Sequence, residues 1–176
     1  YLTGLKLGGS HILVLLDRSA SMLDHSLVNV LRLRNMPEPV QRRAEKWQQA
    51  VATVDWLSTQ LPPASKYQIY AFNTRAEPVV AGSDGKWLEV SDRAQLNGAI
   101  DRLGTLVPAE GTNLAAAFEV AQKLSPKPDN IYLITDGLPT QGQSASGAKV
   151  SGRDRLKYYN QALRVLEDAG LLTVEY

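Results

Sequence analysis

The sequence contains no cysteine and almost no excess of either charge. Without cysteine, the chain cannot form a disulfide, a zinc thiolate site or a thiol nucleophile, although this absence does not identify the compartment. Nineteen basic and 18 acidic residues leave a formal net charge of +1, so no strong positive field attracts nucleic acid or an anionic membrane. We therefore expect no nucleic-acid partner.

Long hydrophobic runs are also missing. The longest purely aliphatic run, from Ile12 to Leu16, is far shorter than the roughly 20 residues that a helix needs to cross a bilayer. We therefore expect no direct membrane insertion by this segment. The first residue is Tyr1 rather than Met, which favours a piece of a longer protein. The compartment stays open, and a membrane-anchored or extracytoplasmic bacterial protein is one option.

The apolar content is sufficient for one globular domain that covers residues 1–176. Of the 176 residues, 44% are hydrophobic, and a chain of this length can bury most of its apolar surface in one core. Short apolar runs predict parallel strands, and the run Glu77–Ala81, which contains a proline, is typical of a short antiparallel edge strand. The four predicted parallel strands are His11–Leu16, Tyr67–Phe72, Ile131–Thr135 and Leu171–Tyr176.

Helical patterns lie between these strands. Apolar residues at three- and four-residue steps predict a long helix from Gln41 to Leu61, which Pro62 and Pro63 end. Three more helices are predicted at Leu96–Leu103, Leu114–Leu124 and Asp154–Ala169. The alternation of strands and helices predicts an α/β fold, in which a doubly wound, mostly parallel β-sheet carries helices on both faces.

Two segments interrupt this alternation. The stretch from Met22 to Glu38 has two arginines and lies next to the pair Pro37 and Pro39, and we interpret it as an insertion that forms a lid or rim between the first strand and its helix. The stretch from Gln141 to Gly152 is rich in Gly and Ser, so it predicts a mobile loop at the edge where the strands end.

Oxygen-bearing side chains follow two of the predicted strands. Ligands of an open parallel sheet bind outside the carboxyl ends of its strands, where Asp17 and Asp136 are expected. Ser19 and Ser21 alternate with Asp17 along an extended segment, and Thr112 adds a hydroxyl where a loop enters a helix. A set of oxygen ligands without nitrogen or sulfur suits Mg²⁺, with Mn²⁺ or Ca²⁺ as alternatives.

Each of these residues also has a simpler interpretation. Asp17, Ser19 and Thr112 could cap helices, and Asp136 with the following glycine is a common turn pair. The simpler interpretation weakens when the segments are considered together, because all of them are predicted at the same edge of the sheet. A shared metal site is therefore the favoured hypothesis.

The motif Asp-x-Ser-x-Ser at Asp17, together with Thr112 and Asp136, resembles that of the von Willebrand factor A domains, and the resemblance extends over nearly the whole chain. The five positions correspond to the metal-ion-dependent adhesion site of that family. The resemblance implies a metal bound directly by the two serines and usually by the threonine, with both aspartates often acting through water. It also implies a non-catalytic module, from a bacterial multidomain protein, whose metal coordinates an Asp or Glu carboxylate of a partner protein.

The chain departs from the family pattern in three places. Ala20 stands where many members have glycine, and the chain stops at the strand that precedes the usual sixth strand and closing helix. The insertion from Met22 to Glu38 is also longer than expected, and it is predicted to lie near the metal face. The outer edge of the sheet and the role of the insertion therefore stay open.

Two other functions compete with metal-dependent binding. Asp17 after a strand could serve as the nucleophile of a Mg²⁺-dependent phosphoryl-transfer hydrolase, but such enzymes carry an acid two residues later, where Ser19 stands. No phosphate-binding P-loop and no serine nucleophile elbow occur in the sequence. The third hypothesis is a structural scaffold with a vestigial metal site, although all five site residues are present.

The tryptophans and a group of arginines complete the prediction. Trp47, Trp56 and Trp87 are interpreted as core or semi-buried packing residues. The arginines could form a solvated face or contact an acidic partner, and the solvated face is favoured because exposed charge is usual. These arginines are Arg32, Arg34, Arg42 and Arg43.

Overall fold

The computed structural model describes residues 8–137, 139–142 and 150–171. The described chain forms five strands, six α-helices and one short 3₁₀-helix, η1. The strands are β1 (His11–Asp17), β2 (Lys66–Phe72), β3 (Ala76–Pro78), β4 (Leu88–Glu89) and β5 (Asn130–Ile134). The helices are η1 (Ala20–Leu23), α1 (Leu27–Arg34), α2 (Glu38–Arg42), α3 (Glu45–Gln60), α4 (Arg93–Thr105), α5 (Leu114–Lys123) and α6 (Gly152–Asp168).

The strands form one mixed sheet in the order β3, β2, β1, β5, and β4 also pairs with β2. Strand β1 is parallel to β2 and β5, whereas β3 and β4 are antiparallel to β2. The prediction of a mostly parallel sheet is confirmed, but it included only one antiparallel strand. The two-residue β4 is too short to give a sequence signal. The predicted strand at 171–176 lies outside the described residues, apart from Leu171.

Alternating side chains of β1 supply the centre of two separate cores. Ile12, Val14 and Leu16 pack on one face with residues of α3 and α4, whereas Leu13 and Leu15 pack on the other face with α5 and α6. All five side chains are at most 2% exposed. Burial of each contributes about 1.5–3 kcal/mol relative to exposure. The doubly wound arrangement predicted from the sequence is therefore confirmed.

The order of the strands places a crevice at the carboxyl end of β1. The chain passes from β1 to β2 on one side and later returns to β5 on the other side. Because the connections to β2 and to β5 run in opposite directions, the loops that follow neighbouring strands separate at this point. Ligands of doubly wound sheets bind in crevices of this kind. Asp17, the last residue of β1, lies at this point.

The helix predicted from Gln41 to Leu61 is divided into two helices in the structure. Helix α2 ends at Arg42, and α3 begins at Glu45 after Ala44, whose φ of −54° and ψ of 126° are not helical. The side-chain amide of Gln48 donates to the carbonyl of Arg42 at 2.6 Å, which satisfies one backbone acceptor at the break. The predicted end of the helix before Pro62 is correct.

The insertion predicted as a lid or rim is helical and attached to the rest of the domain. It comprises η1, α1 and α2, and α1 packs against η1. The Ser26 hydroxyl accepts a hydrogen bond from the Asn29 amide and caps α1. The insertion therefore extends beyond Glu38, through the last turn of α2. Within the described ranges, no helix is both long enough and apolar enough to cross a membrane.

The three tryptophans differ in burial. Trp47 in α3 is fully buried, whereas Trp87 is half-buried, stacks edge-on against His11 and donates to the carbonyl of Pro126 at 2.9 Å. Trp56, also in α3, is 37% exposed, so its predicted role in packing is wrong. Trp56 follows Asp55 on the outer face of the helix, away from the stripe that contains Trp47 and Val54.

We expect Trp47→Ala to lower the free energy of unfolding by about 3–5 kcal/mol, because it leaves a large cavity under the sheet. The matched change Trp56→Ala, in the same helix, should cost less than about 1 kcal/mol because the removed side chain faces solvent. Urea unfolding followed by far-UV circular dichroism measures both values. Equal losses for the two variants would contradict the assignment of Trp47 to the core.

Candidate metal site

The carboxylate of Asp17 is the innermost polar group of the site. Its side chain is fully buried, and each of its oxygens accepts a hydrogen bond. The Ser19 amide donates to Oδ1 at 2.8 Å, and the Thr135 hydroxyl donates to Oδ2 at 2.7 Å. Burial raises the pKa of Asp17, whereas the hydrogen bonds from Thr135 and Ser19 lower it and the nearby charge of Asp136 raises it further. A cation beside this carboxylate would offset the cost of its burial.

Beside Asp17, hydrogen-bonded side-chain oxygens lead from Ser19 toward solvent. The hydroxyls of Ser19 and Ser21 are 2.9 Å apart, and the Ser21 hydroxyl donates to Oδ1 of Asp136 at 3.0 Å. Ser19 is buried and Ser21 is exposed, so these oxygens connect the interior with the surface. Local structure sets this alternation, because η1 begins directly after Ser19, whose own backbone is extended.

Asp136 also forms an ion pair with Lys46 of α3. The Lys46 ammonium is 2.5 Å from Oδ2 of Asp136 and donates to the carbonyl of Ser21 at 2.8 Å. The two side chains are only 14% and 16% exposed, although Asp136 as a residue is exposed because its backbone is open to solvent. An ammonium group thus lies at one side of the candidate metal ligands.

Thr112 reaches the same edge of the sheet through backbone contacts. The Thr112 carbonyl accepts from the amides of Thr140 and Gln141, and its amide donates to the Thr140 hydroxyl at 2.9 Å. These bonds attach Thr112, which is 3% exposed, to the segment that follows Asp136. A Cβ atom at Gly111 would lie 2.8 Å from the Thr140 hydroxyl, so this close approach requires glycine.

The loop before Thr112 is also bound to the motif that follows β1. The Ala20 amide donates to the carbonyl of Glu110 at 2.9 Å, and the Ala109 amide donates to the carbonyl of Arg18 at 2.8 Å. Glu110 has a φ of 67°, a left-handed conformation that costs energy in a residue other than glycine. This conformation directs the Glu110 carbonyl toward the Ala20 amide. The hydrogen bond between them fixes the distance between the loop before Thr112 and the loop after β1.

The segment Asn73–Arg75 lies beside this loop. Asn73 is buried, accepts from the Asn113 amide at 2.8 Å through its carbonyl, and donates to the carbonyl of Ala109 at 3.2 Å through its side chain. It thus connects the end of β2 to the start of α5. Of the predicted loop from Gln141 to Gly152, residues 143–149 lie outside the described residues, and Ser151 forms the capping box of α6.

All five predicted site residues therefore converge at the carboxyl edge of the sheet. Sequence reasoning gave no role to Thr135 and Lys46, which contact these residues, or to Glu110, which accepts from the Ala20 amide between Ser19 and Ser21. Thr135 could have been found from its position beside Asp136 at the end of a strand. Lys46 had no such signal, because it lies in a helix 90 positions from Asp136.

The donors suit a hard divalent cation. They comprise two carboxylates and three hydroxyls, and oxygen sets of this kind bind Mg²⁺, Mn²⁺ or Ca²⁺. In the part of the chain that the structure describes, no three His, Asp or Glu side chains are grouped to hold a metal. A cation at this site would therefore depend on the hydroxyls and on water as well as on Asp17 and Asp136.

Comparisons with known proteins identify the fold and the family. Among solved structures, the chain is similar to a von Willebrand factor type A protein from Catenulispora acidiphila, with a TM-score of 0.56 and 16% sequence identity. The match covers 87% of this chain and 30% of that protein. BatB, a conserved hypothetical protein from Bacteroides thetaiotaomicron, has a TM-score of 0.51 and 18% identity, over 76% of this chain and 57% of that chain.

These structural likenesses concern the fold alone, and the chain spans less than two thirds of either protein. No curated protein matches the chain. The model of the von Willebrand factor type A domain matches residues 12–138, which include all five site residues and well over half of the chain. The chain therefore belongs to the von Willebrand factor type A domain family, whose members are generally non-catalytic protein-interaction modules.

Proposed function

We propose that the chain is a metal-dependent protein-binding module. In this function, Asp17, Ser19, Ser21, Thr112 and Asp136 hold one divalent cation, Mg²⁺ in the first instance. The observation that carries the proposal is one connected polar cluster: the Ser19 backbone amide donates to the buried Asp17, and the hydroxyls of Ser19 and Ser21 continue the hydrogen bonds to Asp136. A cation that replaces these hydrogen bonds finds its ligands already assembled, which reduces the ordering cost of binding.

The charge of the ligands supports a carboxylate as the partner group. In the arrangement that the family resemblance implies, the three hydroxyl ligands in direct contact with the cation are neutral, and the two aspartates act through water. When bound, the cation supplies an open coordination position and residual positive charge for an anion. Asp or Glu of a partner protein provides both a coordinating oxygen and the opposite charge. The module thus binds its partner through the metal and does not transform it.

The geometry of Asp17 supports binding over phosphoryl transfer. An aspartyl nucleophile needs an oxygen that can reach a phosphorus atom, whereas Asp17 is fully buried and both of its oxygens accept hydrogen bonds. The scaffold hypothesis is also less favoured, because a site that had lost its ligand would not need a buried carboxylate beside a second one.

Metal binding is expected at a single site in the unmodified protein. Titration calorimetry with Mn²⁺ and Mg²⁺ should show one saturable process that Asp17→Asn weakens by at least about tenfold, since it removes a ligand charge and keeps the shape. Asp101→Asn, on the exposed surface of α4, is the control and should leave the affinity unchanged. The absence of saturable heat in the unmodified protein would contradict the proposal.

Lys46 is expected to limit the affinity of the metal, because its positive charge already occupies Oδ2 of Asp136. Lys46→Met should bind Mn²⁺ roughly tenfold more tightly, whereas Lys46→Arg, which keeps the charge, should bind about as the unmodified protein does. The same calorimetric titration compares the three proteins. Weaker binding by Lys46→Met would show instead that Lys46 acts mainly by holding the Ser21 carbonyl.

The fold is expected to persist without metal, because two apolar cores and not ligand bonds stabilise it. A free metal concentration about a hundredfold above the dissociation constant raises the free energy of unfolding by roughly 2.7 kcal/mol. This increase corresponds to a rise of about 5–10 °C in the melting temperature. Thermal melts in MgCl₂ and in EDTA, with far-UV spectra at 20 °C, test this. A spectrum of unfolded chain in EDTA would refute it.

A further inference from the structure

The helical insertion carries most of the exposed apolar surface of the described residues. Seven large hydrophobic side chains are exposed among the described residues, and five of them lie in the insertion, between Leu27 and Val40. In α1, Leu27, Val28 and Leu31 are 73%, 76% and 52% exposed. Their spacing places them on one face of the helix, opposite the face on which Val30 and Leu33 pack against the core. Contiguous apolar surface on a soluble domain marks an interaction site.

Two arginines border this apolar face of α1. With a helical turn of 3.6 residues, Arg32 lies on one side of the face and Arg34 on the other. Both are exposed, and neither forms an ion pair with another described residue. The nearby acids are already engaged, because Asp24 accepts hydrogen bonds from Ser26 and Asn29, and Glu38 pairs with Arg42 at 2.6 Å. The face therefore presents aliphatic groups between uncompensated positive charges.

The insertion is built to hold this face in one position beside the metal ligands. The side-chain amide of Gln41 donates to the carbonyl of Met36 at 2.8 Å, which closes the turn between α1 and α2. The Lys46 ammonium donates to the carbonyl of Asp24 at 3.4 Å as well as to that of Ser21, which connects the start of the insertion to the site. The segment that carries α1 is thus attached directly to the segment that bears Ser21.

We propose that α1 is a second contact surface, which docks a segment of a partner protein with aliphatic side chains flanked by Asp or Glu. The inference rests on the proposed function, because the same partner would supply the metal's carboxylate. The aliphatic side chains pack on Leu27, Val28 and Leu31, and the acids pair with Arg32 and Arg34. The metal then provides an anchor common to the family, and α1 adds selectivity for this partner.

Two other occupants fit this face less well. A second copy of the chain would bring the same arginines together, and the acids of the insertion are already engaged. A membrane surface is favoured by aromatic side chains and by many basic ones, but residues 22–44 contain no Trp, Tyr or Phe, and the chain has a net charge of only +1. A protein segment of complementary charge is therefore the occupant that the surface favours.

The test uses a random 16-residue peptide library displayed on phage, selected on the unmodified protein in MgCl₂ and, separately, in EDTA. We expect the enriched peptides to combine Leu, Ile or Val with Asp or Glu in both conditions. The double change Leu27→Ser and Leu31→Ser should weaken the binding of synthetic copies of these peptides by at least about tenfold, as measured by fluorescence anisotropy. Leu156→Ser, at a leucine that is 55% exposed on α6, is the matched control and should have no effect.

The charge of the peptides provides the sharper readout. Selection on Arg32→Glu with Arg34→Glu should enrich Lys and Arg in place of Asp and Glu. The same acidic peptides on both proteins would overturn the proposal, as would peptides unaffected by the Leu27 and Leu31 changes. Binding lost in EDTA but unaltered by the α1 variants would support the metal function alone. If the titration shows no metal binding but the peptides still bind in a way that depends on α1, only the metal function is refuted.

The other occupants have their own outcomes. Sedimentation velocity that shows a dimer lost in Leu27→Ser would assign the face to a second copy. Co-sedimentation with phosphatidylserine vesicles that depends on Leu27 and Arg32 would assign it to a membrane. Either result would overturn the proposal, and circular dichroism of each variant verifies that it is folded.

Discussion

The buried carboxylate of Asp17 is the constraint on which the arrangement of the site depends. Strand β1 is enclosed by two apolar cores, so the charged residue at its end cannot turn to solvent. Its burial is tolerated because the Ser19 amide and the Thr135 hydroxyl each donate to it. These two bonds fix the loop after β1 relative to the end of β5, and the remaining oxygens follow from that placement.

The same edge of the sheet combines a polar site with an apolar one. Lys46 connects them, since its ammonium contacts Asp136 as well as the carbonyls of Ser21 and Asp24. A partner on this edge would face neutral hydroxyls, one ammonium and the exposed aliphatic face of α1. A coordinate bond is short-ranged and common to many acidic partners, whereas packing on α1 distinguishes one sequence from another.

Local patterns predicted the regular elements of the fold well. The central strands β1, β2 and β5 are short apolar runs, and α4 and α5 were located to within a few residues, because burial on both faces or on one face leaves a clear periodicity. The break before α3 was missed because Ala44 is a good helix former whose extended backbone is set by its surroundings. The exposure of Trp56 could have been predicted, since this residue lies outside the apolar stripe of α3 that contains Trp47 and Val54.

The sequence alone predicted the candidate ligand set, because parallel strands end at a common edge and the five residues follow predicted strands or begin a helix. These residues are Asp17, Ser19, Ser21, Thr112 and Asp136. The sequence also determined two cores from the uninterrupted apolar run of β1. Only the tertiary structure decided that Thr135 supports Asp17 and that Lys46 reaches Asp136. Those contacts join residues 118 and 90 positions apart, and pairing over such distances depends on how the helices pack on the sheet. The outward direction of Leu27 and Leu31 was decided likewise by the packing of Val30 and Leu33 against the core.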